Sequence, residues 1–145
     1  MPDKIALITG SSSGFGLLTS IELAKTGFRV VATMRDLGRR DRLDQAAMAA
    51  SVTGRLDIRS LDVTNFDALP AFIDGVVRDH GRVDVLVNNA GFAVAGFAED
   101  IKLEELRRQF ETNFFGTVAM TKAVLPKMRR QHSGHIIMVS SVGGR

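Results

Sequence analysis

The stretch that most constrains this chain is Thr9-Gly10-Ser11-Ser12-Ser13-Gly14-Phe15-Gly16. It follows directly on Lys4-Ile5-Ala6-Leu7-Ile8, a short apolar run of strand type. It opens into Leu17 to Lys25, which reads as a helix. A strand feeding a glycine-rich turn feeding a helix presents unpaired backbone N–H groups and a positive dipole end to an anion. Gly10 lets the chain leave the strand at a permissive φ. Gly14 removes a Cβ where a pyrophosphate would approach the backbone, and Gly16 lets the helix pack close on the strand. The hydroxyls of Ser11, Ser12 and Ser13 are candidate donors to phosphate oxygens. A βα unit that binds nothing can carry the same kind of turn, so the loop alone leaves both readings open.

Beyond that helix Thr26-Gly27 makes a stop, and Phe28 to Thr33 is a second strand followed by Met34-Arg35-Asp36. The segment from Leu37 to Gly54 turns from basic to Ala-rich, with a short helix expected around Gln45 to Ala50. Leu56 to Leu61 alternates apolar and polar residues and predicts a third strand near a sheet edge. Thr64 and Asp67 fit a capping box for the next helix. Its Leu69, Phe72, Ile73, Val76 and Val77 form one stripe, and Gly81 ends it. Val83 to Val87 predicts a fourth strand buried on both faces, broken by Asn88-Asn89-Ala90-Gly91. A long helix is expected from about Leu103 to Gln131, with Leu106, Phe110, Phe114, Val118, Thr121, Leu125 and Met128 along one side. Pro126 should bend it and Gly134 cap it. His135 to Ser140 is a fifth strand, apolar on both faces.

Strict alternation of strand and helix predicts an α/β fold: a doubly wound parallel sheet of Rossmann type, in three layers. With the glycine-rich loop after strand one, the expected order of the five strands is 3-2-1-4-5, and a ligand would lie where that order reverses. The 145 residues read as one dinucleotide-binding domain. A net charge of +3, from 19 basic and 16 acidic residues, is too small and too dispersed to argue for nucleic acid. The absence of Cys excludes disulfides and thiol chemistry. No apolar run approaches the ~20 residues of a membrane span. The first strand begins within a few residues of Met1, which leaves no room for a signal peptide, and a cytoplasmic location is expected.

The TGxxxGxG loop resembles the cofactor loop of the short-chain dehydrogenase/reductase family. Asn88-Asn89-Ala90-Gly91 resembles that family's NNAG motif. Asn113-Phe114-Phe115-Gly116 and Ser140-Ser141 resemble, in the right order, its helix asparagine and strand-end serine pair. The resemblance runs the whole length of the chain. It implies a nicotinamide dinucleotide lined by Gly10, Ser12, Ser13, Gly14, Phe15 and Gly16, and by Asn89, Ala90 and Gly91. Asp62 would approach the adenine amino group and Val63 would pack on the ring. Asn113 would hold a water in a proton relay, and Ser141 would hydrogen-bond the substrate oxygen; these two are the catalytic candidates. Each has a structural alternative: Asp62 as a turn former, Asn113 as a core or kink residue, Ser141 satisfying its own backbone. No metal is expected.

An acid just past the second strand would bind the ribose hydroxyls and repel a 2′-phosphate. Met34 stands at that place, Arg35 follows, and Arg39 and Arg40 add positive charge. NADP(H) is therefore favoured over NAD(H), with Asp36 as the counter-argument and a solvated basic loop as the alternative. The resemblance implies hydride transfer between nicotinamide and an alcohol, ketone or aldehyde, with a Tyr and a Lys in a YxxxK motif beyond the serine pair. The chain contains no Tyr and ends at Arg145. The expectation is the cofactor-binding, N-terminal part of a longer oxidoreductase, inactive on its own; the alternative is a non-catalytic dinucleotide-binding or interaction module. The resemblance also implies a homo-oligomer built in part through the long helix.

Overall fold

The computed structural model describes residues 3–144. Its sheet has five parallel strands in the order β3-β2-β1-β4-β5. They are β1 (Ile5–Ile8), β2 (Arg29–Met34), β3 (Leu56–Ser60), β4 (Val85–Asn88) and β5 (His135–Met138). Side chains alternate across a strand, so β1 feeds both faces of the sheet. Ile5 and Leu7 join a core with Val31, Leu86, Ile73, Val76, Met120 and Val124, whereas Ala6 and Ile8 join one with Ile21, Ala24, Val30, Leu43 and Ala47. The first core lies under α3 (Leu69–His80) and α5 (Thr117–Gln131), the second under α1 (Gly14–Lys25) and α2 (Asp41–Ala49). All four β1 residues are at most 2% exposed, and burying each of the Ile5, Leu7 and Ile8 side chains contributes about 1.5–3 kcal/mol.

The long helix departs most from expectation. It is three segments: α4 (Leu103–Phe110), a π-helical turn over Glu111–Gly116, and α5. The core face of α5 is Met120, Val124 and Met128, with Ala119 and Ala123 beside it. The side expected to run together is split: Met128 is buried in the core, whereas Phe110 is 57%, Phe114 54% and Val118 41% exposed. At about 100° per residue, positions two apart such as Val118 and Met120 lie on opposite sides of a helix. The helix passes through Pro126 as α-helix to Gln131. Its cap is His132, at φ 52, rather than Gly134, which lies further on against Met128.

The capping box at Thr64 is likewise absent. Thr64 donates through both its N–H (2.9 Å) and its hydroxyl (2.7 Å) to Asp62 Oδ1, and a 3₁₀ turn (Phe66–Ala68) intervenes before α3. The nearer carboxylate wins the hydroxyl, and Pro70 in the first turn of α3 supplies the start signal instead. The helix near Gln45 also begins earlier, at Asp41, after a 3₁₀ turn over Leu37–Arg39.

Candidate cofactor and active site

The site forms where β1 and β4 end side by side, the point of strand-order reversal. Thr9 is buried there and its Oγ1 accepts from the backbone N–H of Asn89 (3.0 Å) and of Ala90 (2.9 Å). The Asn89 side-chain amide returns the tie, donating to the carbonyls of Thr9 and Gly10, both at 3.0 Å. Gly10 has φ 70, and a Cβ on it would lie 2.8 Å from the Ala90 Cα. Gly16 is demanded by the same junction rather than by packing on β1: a Cβ there would overlap the Gly10 carbonyl and the Asn89 amide. The loop between β1 and α1 and the turn after β4 are therefore one locked unit.

Within that unit the serines divide. Ser11 is buried, with its N–H on the Thr33 carbonyl (2.8 Å) and its hydroxyl on the Ile8 carbonyl (3.3 Å). It is spent on the fold and is no phosphate donor. Ser12 is half-buried and Ser13 exposed, and Ser13, the residue at the N-cap of α1, makes no side-chain cap bond. A Cβ on Gly14 would meet nothing within 4 Å. The N–H groups of the first turn of this 12-residue helix point into the same open space, and Phe15 stands exposed beside them. Chain polar groups and missing side-chain bulk thus fit a pyrophosphate.

Around this cradle the other candidates fall as follows. Arg35 follows β2 and is exposed, its carbonyl accepting from Ser60 Oγ at 3.2 Å. The Asp36 carboxylate is engaged by the Gly38 N–H at 2.8 Å. Arg40 grips Asp44 through two bonds of 2.7 and 3.1 Å, and the Arg40 hydrogen bond holds the Asp44 carboxyl below its ordinary value. Asp62 is exposed at the end of β3, with one oxygen committed to Thr64. Val63 is buried in the core, where its side chain packs on Gly116 of the π turn.

Asn113 lies in the π turn and is exposed, not a core residue. Its amide clamps one backbone unit: Nδ2 donates to the Phe92 carbonyl (2.7 Å) and Oδ1 accepts from the Phe92 N–H (3.0 Å). Its own carbonyl accepts from Thr117 Oγ1 at 2.9 Å. Gln109 fixes the next stretch of loop by accepting the Val94 N–H at 2.6 Å. Gly91 sits against the Asn113 amide. In the β4–β5 register Asn88 faces Met138, so Gly91 and Ser141 leave the sheet at matching distances along adjacent strands. Ser141 is exposed, and its Oγ accepts from the Gly143 N–H at 3.3 Å, which leaves the hydroxyl proton available to a ligand. Thr9, Gln109 and Thr117 are polar side chains whose parts sequence reasoning missed. Thr9 had a signal, as the first residue of the loop motif; Thr117, a helical Thr beside a glycine, had none. Among the described residues no cluster of three or more His, Cys, Asp or Glu is arranged to hold a metal. No helix among them is long and apolar enough to cross a membrane.

The model of the short chain dehydrogenase family matches residues 4–145. The chain is 44% identical over 144 residues to the uncharacterized oxidoreductase YusZ of Bacillus subtilis, covering 99% of this chain and 51% of that protein. It is 43% identical over 144 residues to human retinol dehydrogenase 8, covering 97% of this chain and 45% of that one. The solved structure of ElxO with NADP bound superposes with a TM-score of 0.91 at 31% identity, over 98% of this chain and 57% of ElxO. The chain spans about half the length of the curated relatives it matches. With a family model matched from the first strand to the last residue, and the locked loop and turn in place, the chain belongs to the short-chain dehydrogenase family.

Proposed function

We propose that this chain is the cofactor-binding part of an NADP-dependent oxidoreductase acting between an alcohol and a carbonyl compound. The observation that carries the reading is the lock between Thr9, Gly10, Asn89 and Ala90, which holds the open cradle of Ser12, Ser13 and Gly14 beside the end of β4. Solved relatives of this fold hold either cofactor, NADP in one and NAD+ in a xylitol dehydrogenase. The alcohol–carbonyl class is carried over from relatives such as retinol dehydrogenase 8.

When bound, the nicotinamide supplies or takes up the hydride equivalent. The first turn of α1, with Ser12, Ser13 and Phe15 around it, holds the pyrophosphate. Arg35 takes the 2′-phosphate, and Met34 leaves room for it where an acid would repel it. Asp62 offers its outward oxygen to the adenine amino group. Ala90 and Gly91 flank the nicotinamide side without bulk, while Asn89 fixes their position. Ser141 orients the substrate oxygen by donating its hydroxyl proton. Asn113 holds the Phe92 backbone and so shapes the floor of the reaction space, where its carbonyl is a candidate water acceptor. The 145 residues hold no Tyr, and we assign general acid–base catalysis to none of them. The outward face of Phe110, Phe114 and Val118 is the surface through which we expect the protein to self-associate.

Calorimetric titration of the intact protein with NADP(H) and NAD(H), and NADPH oxidation with a panel of aldehydes and ketones, test the reading. Binding of NADP(H) together with carbonyl-dependent oxidation is the expected result. Failure to bind either cofactor would overturn it.

A further inference from the structure

We propose that Arg42, on the first turn of α2, is a second determinant of cofactor choice that works with Arg35 on the 2′-phosphate; this rests on the nicotinamide reading above. The segment after β2 carries four arginines, Arg35, Arg39, Arg40 and Arg42, and the fold treats them differently. Arg40 is bound bidentately to Asp44, one helical turn further on, and its charge is neutralised there. Arg42 turns the other way. With Ser13, Gly14, Leu17, Leu18, Gln45 and Ala46 it lines an open hollow between α1 and α2. Among the described residues no carboxylate comes within ion-pair distance of Arg42 or of Arg35.

The other groups in that hollow suit an anion. Ser13 stands at the N-cap of α1 without making a cap bond, so its hydroxyl is available to donate. Gly14 presents backbone and no side chain. The carboxylate nearest in sequence to Arg35 is held by the Gly38 N–H, and Asp44 is held by Arg40. A phosphate monoester carries about −1.5 to −2 charge and three acceptor oxygens near neutral pH, more than one arginine neutralises. Arg35 follows the end of β2 and Arg42 lies on the first turn of α2, and of the two it is Arg42 that lines the hollow beside Ser13. The β1–α1 turn itself would hold a pyrophosphate, so an anion served from the α2 side would be the one on the adenosine ribose. Arg39 and Arg40, which the sequence suggested as reinforcement, are not the residues that line this hollow.

The test uses the intact protein, its Arg42→Gln and Arg42→Lys variants, and two probes lacking nicotinamide: adenosine 2′,5′-bisphosphate and AMP. Losing one partly exposed charge-assisted contact should weaken NADP(H) and the bisphosphate roughly 5- to 20-fold, with NAD(H) and AMP changed less than about 2-fold. Arg42→Lys should recover part of the loss, and unchanged melting temperatures establish that both variants fold. Equal losses for the phosphorylated and plain probes, or no loss for either, would overturn the assignment of Arg42 while leaving the oxidoreductase reading in place. Wild-type protein that binds AMP and NAD(H) but not the bisphosphate would overturn it too. Wild-type protein that binds no probe would overturn both.

Discussion

The Thr9 hydroxyl oxygen receives two backbone N–H groups, from Asn89 at 3.0 Å and Ala90 at 2.9 Å, across a sequence separation of about eighty residues. One buried atom therefore joins the glycine-rich loop to the end of β4. Thr9→Val keeps the shape but leaves both N–H groups without an acceptor. We expect a loss of about 1–3 kcal/mol per stranded group, at the lower end where water can enter, together with weaker cofactor binding. Thr9→Ser should restore most of both. Urea denaturation and cofactor titration measure the two effects; a stable, tight-binding Thr9→Val protein would remove the clamp from the account.

Arg35→Ala should weaken NADP(H) roughly 10- to 150-fold, the equivalent of a charged hydrogen bond of about 1.5–3 kcal/mol. NAD(H) affinity should barely move. Titration of both cofactors against both proteins decides the matter, and parallel losses would show that Arg35 acts on the fold rather than on the phosphate.

A charge cluster on the far side of the molecule predicts how stability responds to acid. Asp57 on β3 meets Arg59 Nη2 at 2.5 Å and His80 Nε2 at 2.8 Å, and Arg59 also reaches Asp79 at 2.9 Å. Burial alone would raise the Asp57 carboxyl, but the Arg59 and His80 hydrogen bonds together outweigh it and hold it below its ordinary 3.8. A carboxylate lowered in the folded state stabilises above its unfolded pKa and loses that contribution as pH falls through the folded one. Wild type should therefore exceed Asp57→Asn in urea midpoint at about pH 6, and the gap should narrow as pH falls below about 4. A gap that stays constant down to the lowest pH would contradict this.

Phe110, Phe114 and Val118 lie on one outward face, and the rings of Phe114 and Phe115 meet edge-on with centroids 5.1 Å apart. An exposed apolar face is where self-association is expected. Phe114→Asp in the intact protein should shift it to a smaller species in light scattering with little change in melting temperature. A wild type that is monomeric at every concentration would end this line of argument.

The strand order was legible because β1, β2 and β4 are short, apolar and separated by periodic helical segments, and that pattern admits few topologies. Candidate residues in the β1–α1 loop and the turn after β4 were legible as motifs. What bound them to each other was not: Thr9 and Asn89 are far apart in sequence, and a threonine at a strand end has many possible partners. The long helix was read as unbroken because a period of 3.6 was carried straight through Glu111–Gly116, where the backbone is π-helical. The cap at Thr64 failed for a local reason, since Asp62, two residues away, claimed its hydroxyl first.

The π turn acts as a shim. A π segment holds more residues per turn than an α-helix, so α4 and α5 need not share a register. Met120, Val124 and Met128 can stay seated in the core while Gln109 and Asn113 are dialled to meet the loop after β4. Removing one residue from Glu111–Gly116 would turn everything before it by about 100° while the seated half stayed put. The amide of Asn113 would then swing off the Phe92 backbone, and the outward phenylalanines would be re-aimed with it. The hold on the loop after β4 and the aim of the outward phenylalanines are thus geared to one residue count, independent of the core beneath them.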